Sequence, residues 1–256
     1  MAAPPATRIQ LCGRLVVELA GRRVEGALPG AKGRLLFAYL VLNRDRRISR
    51  DELLTAVYGD DASPDQHPSL SVLLSKLRSG IGQELLAGRS EIELVLPRQS
   101  FVDVEAARDA LHRAESHIAA GEWAESWGPA GVAYHVARRP LLQGEDRPWL
   151  DEWRRRLEDV MLRGLECFAQ ARLELGGPTL PQAEDAARRL IELAPYREAG
   201  HRMLIETLER RGNVAEALLA YDRLRVLLRD ELGVAPSPAL QSVHRRLLGE
   251  RTTSSA

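Results

Sequence analysis

Neither sign of charge is in excess in this chain, since 36 Lys and Arg face 36 Asp and Glu over 256 residues. That balance excludes a strongly basic nucleic-acid binder and a strongly acidic solvating tail. Cysteine is nearly absent. Cys12 and Cys167 lie far apart with no CxxC or Cys/His spacing, so neither a disulfide framework nor a zinc site is encoded, and both read as buried thiols. No window approaches the roughly 20 apolar residues of a membrane helix, and no apolar signal segment leads the chain. The expectation is a cytoplasmic protein that meets no membrane. The glycines Gly26, Gly30 and Gly33 lack the spacing of a nucleotide loop. His112 and His117 are too far out of phase to share a helix face, and His135, His201 and His244 are scattered. With no supported Ser/His/Asp arrangement either, the expectation is no enzyme, no metal and no cofactor.

Net neutrality conceals an asymmetry. Residues 1–100 hold 14 Lys and Arg against 11 Asp and Glu, while residues 101–256 hold 22 against 25. The front leans toward anions, and tight binding of DNA would need a dimer or a second protein.

After an Ala/Pro-rich lead, Met1 to Ala6, that reads as disordered, Ile9, Leu11, Leu15, Val17 and Leu19 all fall on odd positions. Alternation of this kind predicts short antiparallel strands, with Ala20 to Arg23 as a turn. Arg34 to Asn43 is dense in Leu and predicts a buried helix. Ser49 followed by Glu52 is a capping box that opens a second helix.

The stretch from Ser63 to Gly82 predicts a third helix. Leu70, Leu73, Leu74, Leu77 and Ile81 form its buried stripe, Pro68 suits its first turn, and Asp65 or Ser69 can cap it. Its opposite face carries Ser69, Ser71, Ser75, Lys76, Arg78 and Ser79 and no carboxylate, a set that can lie against a phosphate backbone. Beyond it, Ile92, Leu94 and Leu96 alternate, and Pro97 to Ser100 can turn the chain back into Phe101 and Val102 as a hairpin. Strands, three helices and a terminal hairpin make a winged helix-turn-helix, whose third helix enters the major groove.

From Asp103 the strand pattern gives way to helices. Ala171, Ala183 and Pro195 align with Ile205, Ala217 and Arg229 at a spacing of 34, with Gly177 and Gly212 near the turns, and a weaker copy has Ala114, Gly121 and Ala133. That is the tetratricopeptide period, and three helical pairs are predicted. The pairs Trp123/Trp127 and Trp149/Trp153 are spaced i, i+4 and read as packing between helical pairs. The tail after Gly249 reads as polar and loose.

The fold class is therefore α+β: a winged helix with a small sheet at residues 7–103, then an all-α tetratricopeptide-like domain at residues 104–249. Taken together, PGAKGRLLFAYLVLNRDRRISRDELLTAVYGDD, LSVLLSKLRSGIG, RPWLDEWRRRLE and APYREAGHRMLIETLERRGNVAEALLAYDRLRVLLRDELGVAPSPAL, with its ELGVAPSP string, resemble the SARP-type transcriptional activators of actinobacteria. These antibiotic-regulatory proteins join an OmpR-like winged helix to a bacterial transcriptional activation domain. The resemblance implies a regulator that binds promoter direct repeats in double-stranded DNA, often as a homodimer, and recruits RNA polymerase. It also implies that Ser71, Ser75, Lys76, Arg78 and Ser79 face DNA, while Lys32 and Arg34 at the start of the first helix and Arg98 and Gln99 at the hairpin tip meet phosphates.

A second reading comes from Val72 and Leu73 on the third helix, the neutral net charge and the LeuValLeuPro segment at Leu94 to Pro97. It makes the chain a protein-interaction scaffold whose winged helix holds no specific DNA. In a third, the helical domain senses a small molecule or nucleotide, with Arg138/Arg139 or Arg188/Arg189 as phosphate holders.

Overall fold

The computed structural model describes residues 7–59 and 62–253, with side chains except at positions 64 and 250–253. The lead 1–6 lies outside the described residues. Two compact units form, one within residues 7–106 and 136–158, the other within 107–135 and 159–253.

In the first unit, β1 (Arg8–Gln10) pairs antiparallel with β2 (Val16–Leu19), which pairs with β3 (Arg22–Arg23). The odd-numbered Ile9, Leu11, Val17 and Leu19 are buried, as alternation requires. Ala20 and Gly21 close the β2–β3 loop, both with positive φ, and so match the twist of the flanking strands. Helix α1 (Gly30–Leu42) follows, buried along Leu35, Leu36, Phe37, Leu40 and Val41. After β4 (Ile48–Ser49), helix α2 (Arg50–Tyr58) begins where the Glu52 N–H donates to Ser49 Oγ at 3.2 Å. Only that half of the capping box forms, because the Glu52 carboxylate turns to Arg46 and Tyr39 instead. Helix α3 (His67–Ile81) buries the expected stripe of Leu70, Leu73, Leu74, Leu77 and Ile81. It has no side-chain cap: Gln66 precedes it, and Asp65 lies in the 3-10 turn Pro64–Gln66.

The hairpin differs from the one the sequence suggests. Strands β5 (Leu86–Ala87) and β6 (Glu91–Leu94) pair antiparallel across a tip at Gly88–Ser90, and β6 also pairs with β4. The turn at Pro97–Ser100 forms, with the Ser100 N–H on Pro97 O at 3.0 Å. It leads into β7 (Phe101–Val102), which joins β1 in parallel in the other sheet. The bonding partner of β7 thus lies 93 positions away in sequence, at Arg8↔Phe101. Asp103, buried at the start of α4 (Asp103–Ala120), accepts the Leu11, Cys12 and Val104 N–H groups at 2.9 Å and anchors the end of β1.

Residues 136–158, which the sequence places in the helical domain, pack with the winged helix. The Gly13 N–H donates to Pro140 O (2.8 Å), the Leu142 N–H donates to Leu11 O (3.1 Å), and Leu141, Leu142 and Leu150 are buried. Backbone pairing with the open edge beyond β1 and burial of three leucines explain why this segment leaves the helical array.

The second unit is helical. Its elements are the bulk of α4, α5 (Trp123–Ala137), the later part of α6 (Pro148–Leu175), α7 (Leu180–Leu193), α8 (Glu198–Arg210), α9 (Val214–Leu232) and α10 (Pro238–Thr253). Small residues Ala169, Ala183, Ala187 and Ala217 alternate with Leu190, Met203, Ile205, Leu208 and Leu224 in one core, the interdigitation stacked helical pairs need. Helix α10 continues past Gly249 to Thr253, where a loose tail is expected from sequence. Among the described residues no helix is long and apolar enough to cross a membrane, and no cluster of metal-ligating side chains occurs.

Candidate nucleic-acid interface

With its leucines turned inward, α3 leaves Ser69, Ser71, Val72, Ser75, Lys76 and Ser79 exposed. Five of these are the residues the sequence places on the outer face, and Val72 joins them. Ser69, Val72, Ser75, Lys76 and Ser79 form one wall of an open groove of about 870 Å³. Ala27, Pro29, Gly30 and Tyr58 line its other side, and among the described residues no carboxylate lines it. Burial pushes the Tyr58 hydroxyl above its usual titration range, so it stays neutral there. Close approach at Gly80 sets the groove's end, because a Cβ on Gly80 would lie 2.8 Å from Ala27 O.

The serines are held by the helix itself. Ser71 Oγ donates to His67 O at 2.8 Å and Ser79 Oγ to Ser75 O at 3.1 Å, so the Ser79 hydroxyl offers its lone pairs outward, while Ser71 also accepts from Arg50.

Arg78 is not free on this face. Its guanidinium donates to Leu86 O (3.3 Å) and Gly88 O (2.7 Å), tying α3 to the β5–β6 hairpin. Two cations the sequence reading passed over stand beside the helix. Arg50, in the first turn of α2, donates to Ser71 Oγ and to Arg89 O, the latter at 3.2 Å. Arg89 occupies the hairpin tip and is exposed. The signal for Arg89 was Gly88 before it, whose φ of +86° suits a hairpin turn that L side chains resist. Lys76 has no ion-pair partner among the described residues.

The remaining expected contacts fall elsewhere. Lys32, in the first turn of α1, lies over the Tyr58 ring at 4.3 Å, next to the groove. Arg34 pairs with Glu145 at 3.5 Å. Arg98 and Gln99 sit in the exposed turn between β6 and β7, not at a hairpin tip, because the two strands flanking them belong to different sheets.

The tryptophans divide by unit. Trp149 lies edge-on to Tyr39 at 5.0 Å, and its indole N–H donates to Ala56 O. Trp127 carries the Arg172 guanidinium over its ring at 4.2 Å. Arg188 of the Arg188/Arg189 pair is held by Glu184 at 2.6 Å, and Arg189 by Glu192 at 2.8 Å. Both thiols are buried; burial pushes Cys12 well above its ordinary range and Cys167 up to about 12. Such thiols are poor nucleophiles.

An exposed helix with short hydroxyls, a lysine and a methyl-bearing side chain, flanked by arginines at two different elements, has the chemistry of groove contact. In protein–DNA interfaces of this chemistry, cations position the protein against phosphates and short polar groups reach base edges.

Comparison with known proteins matches residues 102–248 to the bacterial transcriptional activator domain. The regulatory protein AfsR of Streptomyces griseus is 30% identical over 215 residues, a match covering 84% of this chain and 22% of AfsR. The transcriptional regulatory protein EmbR of Mycobacterium tuberculosis is 27% identical over 252 residues, covering 94% of this chain and 63% of EmbR. This chain thus spans less than two thirds of either relative. The solved structure of Mycobacterium tuberculosis EmbR in complex with a low affinity phosphopeptide superposes with a TM-score of 0.83 at 24% identity, over 95% of this chain and 65% of that one, and has the same fold. The chain belongs to the bacterial transcriptional activator domain family, and its type is that of the SARP transcriptional activators.

Proposed function

We propose that the chain is a transcriptional activator that binds promoter direct repeats in double-stranded DNA through its winged helix and recruits RNA polymerase. The observation that carries this reading is the carboxylate-free outer face of α3, with Ser69, Ser71, Ser75, Lys76 and Ser79 exposed and with Arg50 and Arg89 beside it. In this reading residues 7–103 hold DNA and residues 104–249 serve activation. A homodimer on adjacent repeats supplies the phosphate contacts that a front part with 14 cations and 11 carboxylates lacks alone. The regulatory names of AfsR and EmbR support the same reading.

The test is genome-wide selection of DNA fragments by the purified chain at roughly physiological salt, where non-specific cationic binding is suppressed. Spaced direct repeats are the expected yield.

The scaffold reading has two observations in its favour: Arg78 is bound to the hairpin, and Val72 is exposed. Recovery of no specific fragment from a folded sample would favour it.

A further inference from the structure

Val72 stands out on α3. It is 55% exposed, while its sequence neighbour Leu73 is 9% exposed, and it is the one large hydrophobic side chain presented on that outer face. Ser69, Ser75 and Ser79, all short, and Lys76 line the same groove wall. A valine on a helix is held in essentially one rotamer, so its two methyl groups keep fixed positions and lose little freedom on contact.

In the major groove of DNA the one apolar feature among the base edges is the C5-methyl of thymine, and apolar side chains read it by contact. We infer that Val72 is a specificity-determining residue that selects thymine at one position of each half-site by methyl-to-methyl contact. The inference rests on the DNA-binding reading above. It assigns the exposed valine to readout, whereas the serines meet polar base edges and Lys76 meets phosphate.

The experiment uses the full chain and a fragment obtained by the selection described above. Each thymine of the selected site is replaced in turn by deoxyuridine, which keeps every hydrogen-bonding group and lacks only the methyl. With the unaltered protein, affinity is expected to fall about fourfold at one thymine per half-site, the equivalent of ~0.8 kcal/mol for one buried methyl group, and to hold elsewhere. Val72→Ala, which alters both protomers, is expected to bind the thymine site about as weakly as the unaltered protein binds a site with the thymine of both half-sites replaced, and to lose sensitivity to the swap. Because Val72 is exposed, the variant should keep the melting temperature of the unaltered chain.

A site that is indifferent to uracil at every position overturns the inference, and so does a methyl dependence that survives in Val72→Ala. A Val72→Ala variant that changes self-association, with no methyl dependence in either protein, assigns the residue to a protein contact and also overturns it. Failure to select any site removes the DNA-binding reading itself and this inference with it.

Discussion

The indole N–H of Trp149 donates to the carbonyl oxygen of Ala56 at 3.0 Å, and Arg147 Nη2 donates to Val57 O at 3.2 Å. Both acceptors are among the last carbonyls of α2, which have no partner within the helix. Two side chains from a segment 90 residues later therefore close the C-terminal end of a helix in the winged-helix core. Trp149→Phe keeps most of the ring against Tyr39 but orphans the Ala56 carbonyl. It should cost ~1 kcal/mol, seen in urea unfolding as a lower midpoint with an unchanged slope. An unchanged midpoint would show that water replaces the indole freely.

Gly80 sets how closely α3 approaches the 3-10 turn Glu25–Ala27. A Cβ there would sit 2.8 Å from Ala27 O and 3.4 Å from Ala27 Cβ, against backbone that has no rotamer to yield. Gly80→Ala gains helix propensity but forces α3 outward, and overpacking of this kind costs about 1–3 kcal/mol. Thermal melting of the variant reads the balance, and a net gain in stability would mean that the turn moves at little cost.

Neither of those contacts is legible in the sequence, because each joins segments more than 50 positions apart. The buried stripe of α3 could be read because five apolar residues at helical spacing sit within 12 positions, and Ser49 announced α2 because a cap is a local bond. The interface was partly legible for the same reason: the outer face of α3 is the complement of its stripe. What escaped was long-range pairing. Strand β5 has two residues, too few to show alternation, so the sequence pattern points to a hairpin one strand late, with Arg98 and Gln99 at a tip that Arg89 holds. Whether Arg78 faces solvent or the hairpin depends on Leu86 O and Gly88 O, acceptors brought to it by tertiary folding alone. The departure of residues 136–158 from the helical array was hidden likewise, since its partners are backbone groups around Leu11 and Gly13.

A pH dependence follows from Glu52. Its carboxylate accepts from Arg46 (2.9 Å) and from the Tyr39 hydroxyl (2.5 Å), and the Arg46 hydrogen bond holds it below the ordinary carboxylate range. Burial first, and then that same carboxylate, push Tyr39 up to about 12. Folded Glu52 thus stays ionised at acidities where the unfolded chain takes up a proton. Its contribution is complete above an unfolded value of about 4.3 and is lost as pH falls toward the lower folded value. The pair is partly exposed, so the contribution is about 1 kcal/mol or less. Denaturant unfolding from pH 7 to pH 3 should show the difference between the unaltered chain and Glu52→Gln shrinking below about pH 4. A difference that is constant with pH would assign the loss to packing.

Lys76 and Arg78 are two residues apart on α3, yet the structure gives them different work. Lys76 is exposed on the groove wall, whereas Arg78 is half-buried with its guanidinium on Leu86 O and Gly88 O. If the interface binds DNA, each phosphate contact removed lowers the slope of log affinity against log salt by about 0.9. Lys76→Ala should therefore flatten the slope by about one unit, and Arg89→Ala at the hairpin tip should do the same. Arg78→Ala should leave the slope unchanged and lower the affinity by a similar factor at every salt concentration, because what it loses is the bracing of the hairpin. Its melting temperature should fall where that of Lys76→Ala does not. A flattened slope in Arg78→Ala would mean that the guanidinium leaves the hairpin for a phosphate on binding, and an unaffected slope in Lys76→Ala would take α3's lysine out of the interface.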